Sequence, residues 1–129
     1  MGINECIPRN KHDLAALKRA QAIGFPALNT HLADLLEWLR DANWPVAKPT
    51  ASVLLEAGNE IIPHIKVILN GDDAVWKYWT IELLVQNVNS DVFSELRSDL
   101  LHVANQPTAS EQLETVDALS KQVLASRYL

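Results

Sequence analysis

Apolar side chains recur along this chain at the three- and four-residue intervals of an α-helix, and polar turn-forming residues interrupt them. The clearest run is Leu28, Leu32, Leu35, Leu36 and Leu39. These fall at i, i+4, i+7, i+8 and i+11, one face of a helix expected over 27–40, with Thr30, Asp34, Glu37 and Arg40 turned away and Trp38 at the stripe's edge. Upstream, Leu14, Leu17, Ala20 and Ile23 predict a helix from Lys11 or His12, capped by Asn10 and stopped by Gly24 and Pro26. Downstream, Asp41, Ala42 and Asn43 make a tight turn into a helix reaching about residue 57, with Asp41 or Asn43 as cap and Pro45 in its first turn. Pro49 lies deep for such a helix, which must either kink or begin nearer Lys48.

Gly58 and Asn59 separate that helix from one over 60–69, whose stripe is Ile61, Ile62, Ile65, Ile68 and Leu69 and whose first turn holds Pro63. After Asn70–Asp73 comes a helix over 74–87 carrying Val75, Trp76, Trp79, Leu83 and Leu84. Asn89, Ser90 and Asp91 open another, with Val92, Phe93, Leu96, Leu100, Leu101 and Val103, ended by Pro107. Thr108 and Glu111 have capping-box spacing ahead of a last helix with Leu113, Val116, Leu119 or Ser120, Val123 and Leu124. About seven helices joined by short turns leave no segment for a sheet and make neighbours antiparallel. The chain reads as all-α.

Length places residues 1–129 in one domain, with 1–10, which contain Pro8, expected as an extended arm. A hydrophobic content of 48% with 21% charged residues is that of a globular protein, not a disordered tail. Net charge is −5, with +2 over residues 1–24 and −7 over the remainder, so the body lacks the basic stripe that nucleic-acid binding draws on. Another protein is the expected partner. The single cysteine, Cys6, allows no internal disulfide, and no apolar run approaches signal-peptide or membrane-span length. The expected location is the cytoplasm.

An internal repeat runs through the pattern. Leu32, Leu35, Leu39 and Asp41 superpose on Ile62, Ile65, Leu69 and Asp72 at an offset of about 30 residues, and the apolar trio recurs at Phe93, Leu96 and Leu100. One helix pair cannot bury both its faces, whereas stacked pairs build a continuous core. Within this frame, Ile7-Pro8-Arg9-Asn10-Lys11-His12-Asp13, Leu35-Leu36-Glu37-Trp38-Leu39, Asp41-Ala42-Asn43-Trp44-Pro45-Val46-Ala47, Glu60-Ile61-Ile62-Pro63-His64-Ile65 and Val75-Trp76-Lys77-Tyr78-Trp79 carry a resemblance. The chain resembles HEAT-like, armadillo-type helical-repeat proteins, and within them a family of small bacterial proteins that is a domain of unknown function. The resemblance spans nearly the whole chain. It implies a short right-handed α-solenoid of antiparallel helix pairs. Proteins of this kind commonly serve as protein-binding scaffolds, and some bacterial ones as immunity-type inhibitors of toxins.

The candidate binding surface follows from the helix starts. Trp44 and Trp76 stand near the beginnings of successive repeat helices, and such aromatics anchor interfaces. Trp38 and Trp79 read as seam fillers, while for Trp44 and Trp76 burial and exposure are equally open. Lys11, Asp13, Asp41, Asn43, Asp73 and Lys77 lie at or near helix starts, where Asp and Asn also serve as caps. If those ends face one way, they form a polar site flanked by Trp44 and Trp76. His12, His31, His64 and His102 lack metal-ligand spacing, Cys6 has no patterned histidine near it, and there is no glycine-rich phosphate loop or GxSxG. No catalytic residue, metal or cofactor is implied. The expected function is a non-enzymatic protein–protein interaction module, an adaptor or immunity-type inhibitor. The alternatives are an enzyme like the HEAT-like DNA glycosylases, using Trp44 and Trp76 with Asp41 or Asp73, and a purely structural subunit.

Overall fold

Among residues 3–127, which this computed structural model describes, every regular element is helical. The first α-helix, α1 (Leu14–Ile23), is capped by Asp13, whose carboxylate accepts the Ala16 N–H at 3.4 Å and the Arg9 N–H at 3.1 Å. Asn10, expected as the cap, instead accepts the His12 N–H at 2.9 Å and closes a local turn, which delays the helix. Gly24, at φ 67°, ends it. The expected extended arm is also different: Ile3–Cys6 is a 3₁₀ turn docked on α1, with Cys6 fully buried and Arg19 Nε donating to the Glu5 carbonyl at 2.8 Å. A thiol small enough to act as a core side chain draws the segment in. Residues 1 and 2 of that arm lie outside the described residues.

The leucine run forms a 3₁₀ lead-in (Ala27–His31), α2 (Leu32–Leu36) and a 3₁₀ exit (Glu37–Leu39). Its five leucines are at most 1% exposed, and burial of such a side chain is worth roughly 1.5–3 kcal/mol. Helix α3 (Ala47–Leu54) begins later than residue 44, so Pro49 falls in the first turn, where its missing N–H leaves nothing unpaired. Neither Asn43 nor Asp41 caps it. Asp41 Oδ1 accepts the Asn43 N–H at 2.8 Å within the turn, and the Val46 N–H reaches back to the Lys11 carbonyl at 3.2 Å. Gly58, at φ 66°, breaks the following 3₁₀ stretch (Leu55–Ile61) before α4 (Ile62–Leu69), which has Pro63 in its first turn.

Helix α5 (Ala74–Leu83) is capped by Asp73 and stops earlier than expected, at Leu84, before a 3₁₀ turn over Val85–Asn87. Asn89 caps α6 (Ser90–Asn105). The single last helix expected from the sequence is divided in two, α7 (Ala109–Leu113) and α8 (Val116–Arg127), by Thr115 at φ 59°. The capping box of Thr108 and Glu111 forms as its spacing predicts.

Helices pack mainly on near neighbours in the chain: α1 and α2 on α3, α4 on α5 and α6, and α8 on both α5 and α6. Among the described residues, three ion pairs join positions 33 or 34 apart in the chain. Arg40 Nη1 meets Asp73 Oδ2 at 2.9 Å, Lys66 Nζ meets Asp99 Oδ2 at 2.8 Å, and Lys77 Nζ meets Glu111 Oε2 at 2.7 Å.

The last tie is the buried one, with both side chains 5% exposed. Lys77 stands in the first turn of α5 beside Ala74 and Ile81, on the face that turns inward. Glu111 Oε1 also accepts the Thr108 N–H at 2.8 Å, so both carboxylate oxygens are satisfied. Burial by itself would raise the Glu111 pKa; the hydrogen bonds from Lys77 and Thr108, with the Lys77 charge, outweigh burial and hold it below the ordinary carboxylate value.

Two outcomes follow for stability. Lys77→Met leaves Glu111 buried without its cation and should cost about 3–5 kcal/mol in urea denaturation, whereas Lys77→Met with Glu111→Leu should recover most of that loss. Because the folded-state pKa of Glu111 is depressed, its contribution is complete above the ordinary value of 4.5 and is lost as pH falls through the lower folded value. Thermal melts should therefore fall more steeply with acid in the wild type than in Glu111→Gln.

Candidate binding cleft

Trp76 is positioned twice over. Its backbone N–H donates to the capping carboxylate of Asp73 at 3.0 Å, which fixes where the side chain leaves α5. Its indole Nε1–H then donates across to the Leu36 carbonyl at 3.0 Å, in the last turn of α2, where carbonyls run short of intrahelical donors. Arg40 lies over the indole, its guanidinium carbon 3.9 Å from the ring centroid. The same guanidinium is held by Glu37 at 2.6 Å and Asp73 at 2.9 Å. The Glu37 hydrogen bond raises the Arg40 pKa against a smaller opposing effect of burial, so the cation is fixed. The half-buried indole thus has one face covered and its polar atom satisfied.

Beside it lies a cleft of about 460 Å³ between α2 and α4, lined by Ala33, Leu36, Glu37, His64, Val67, Ile68 and Trp76. Most of that lining is apolar, and Val67 on its rim is 73% exposed. Such a surface can take up an apolar side chain against the indole, with Glu37 and His64 at the edge to orient a polar neighbour.

The residues expected at a common site separate into three places. Lys11, Asp13, Asp41, Asn43 and Trp44 share the corner where the Val46 N–H joins the Lys11 backbone. There Asp13 caps α1, Asp41 shapes the turn, and Trp44 packs edge-on against Trp38, with centroids 5.5 Å apart and planes at 63°. Trp76 lines the cleft, and Asp73 supports it from behind by accepting the Trp76 N–H and holding Arg40. Lys77 is interior, 4% exposed and bound to Glu111, so it offers nothing to a partner. Trp79 is half-buried and packs edge-on against Tyr78 at 4.9 Å.

Sequence reasoning missed Glu37, Arg40, His64 and Val67. Val67 carried a signal: it is an aliphatic residue off the Ile65, Ile68 and Leu69 stripe, on the face where a polar one is expected. Arg40 carried a weaker one in its Glu37 partner three residues earlier. Burial raises the Cys6 thiol's pKa, with Arg19 opposing and Glu5 adding to it, so it is held protonated and inert. Among the described residues, no three His, Cys, Asp or Glu side chains gather as a metal site would require, and no helix is long and apolar enough to cross a membrane.

Fold and site together define a small all-α protein with a tryptophan-walled apolar cleft. The chain belongs to the family described as a domain of unknown function (DUF5071), whose model matches residues 6–124. No curated protein matches it.

Removing the clamp should loosen the indole without unfolding the chain. In protein carrying fluorotryptophan, Arg40→Ala should shift and broaden the Trp76 fluorine resonance and leave that of Trp79 in place. The stability loss should be about 0.5–1 kcal/mol, since Arg40 is 40% exposed.

Proposed function

We propose that this chain is a non-enzymatic protein–protein interaction module that receives an apolar side chain of a partner in the Trp76 cleft. The observation that carries the reading is Val67, an aliphatic side chain left 73% exposed beside a tryptophan whose ring is covered by Arg40 and whose Nε1–H is bonded to the Leu36 carbonyl. Preorganised aromatics in apolar surroundings are typical anchors of interfaces, because little motion is lost on binding. The scaffold under this reading is a short right-handed HEAT-like α-solenoid. Support comes from near-neighbour packing and from ties that link residues 33, 33 and 34 positions apart, a spacing suited to one repeat. An adaptor or immunity-type inhibitor acting in the cytoplasm fits this arrangement.

The DNA-glycosylase alternative has less to rest on. Asp73 is engaged by Arg40 and the Trp76 N–H, Asp41 by the Asn43 N–H, and the net charge of −5 opposes phosphate.

Val67→Glu places a charge in the cleft at an exposed position and should leave the fold intact. Affinity capture from native lysate with wild type and this variant tests the site. The partner held by the wild type should be lost from Val67→Glu, and equal recovery of every bound protein would remove the cleft from consideration.

A further inference from the structure

Leu113, the last residue of α7, is 81% exposed, more than any other large apolar side chain among the described residues. Its position follows from Glu111. Residues two positions apart on a helix point about 200° apart, so a chain that turns Glu111 inward to Lys77 turns Leu113 outward. There it faces Val75, itself 42% exposed, across a hollow of about 480 Å³ that also touches Asp72 and Glu114. A second hollow of about 260 Å³ shares Val75 and Glu114 and continues over Tyr78 and Trp79 to Thr115.

Two further observations mark this face. Thr115 adopts φ 59°, a conformation that β-branched residues rarely take, and it lies in the break between α7 and α8. Strain of this kind persists where the surrounding structure imposes it, and it gathers at surfaces that contact ligands. The charge is also one-sided: Asp72 and Glu114 are exposed and neither forms an ion pair among the described residues, while Asp73 beside them is already engaged by Arg40.

We infer that the α5–α7 face is a second docking surface, separate from the Trp76 cleft, for a basic amphipathic segment of another protein. An aliphatic or aromatic side chain of that segment enters between Val75 and Leu113, and flanking Lys or Arg residues meet Asp72 and Glu114. Charge complementarity selects this occupant over a second copy of the chain, which would bring the same carboxylates to the same place. The surface stands whether or not the cleft beside Trp76 binds anything.

Selection of displayed random peptides on the immobilised full chain tests this. Enriched peptides should carry an apolar residue flanked by Lys or Arg. Their retention should fall about tenfold or more with Leu113→Asp and with the pair Asp72→Lys and Glu114→Lys, yet persist with Val67→Glu. Circular dichroism on each variant confirms that the helices remain. Enrichment of peptides without basic residues, retention unchanged by Leu113→Asp, or retention abolished by Val67→Glu would overturn the inference. So would a homodimer in sedimentation that Leu113→Asp dissociates.

Discussion

Lys77 enters the interior from the first turn of α5, where a cation cannot remain unless an anion comes to meet it. Glu111 meets it from a helix of five residues that could not persist on its own. One carboxylate therefore neutralises the buried ammonium, closes the capping box with Thr108 and holds α7 onto the body of the protein. Fixing α7 in turn fixes what surrounds it: the break at Thr115, the course of α8 against α5 and α6, and the outward face of Leu113.

The Trp76 cleft is put together by the same economy of parts. Asp73 caps α5 with one oxygen and anchors Arg40 with the other, and Arg40 covers the indole that the cap has placed. No group in the set acts alone: cap, guanidinium and indole each hold another in place. The apolar floor comes from the edge of the leucine and isoleucine stripes, where Leu36 and Ile68 are shared between core and cleft.

How much of this was legible in the sequence depended on whether the determinant was local. The leucine stripe, the capping box and the stop at Gly58 rest on spacing within a turn or two, and each appears where its spacing places it. Asn10 and Asp41 were legible as turn residues but not as the wrong caps, because a side chain that can bond two residues on does not signal whether the helix begins there. The fate of Lys77 was hidden more deeply. Its partner is 34 positions away, and the inward face that Ala74, Ile81 and Leu84 mark beside it is masked in the pattern by the larger Val75, Trp76, Trp79 and Leu83. For the same reason the candidate site came out divided: helix starts that look equivalent in sequence are separated once the chain packs, with Trp44 going to Trp38 and Trp76 to Arg40.

The three long-range ion pairs share a direction. In each, the cation belongs to the earlier segment and the anion to the later one: Arg40 with Asp73, Lys66 with Asp99, Lys77 with Glu111. These three ion pairs thus run in one sense along the chain, positive charge meeting negative charge that comes later. A segment docked in reverse order would set like charges against each other, so the succession of helices along the chain is written into the electrostatics as well as the connectivity.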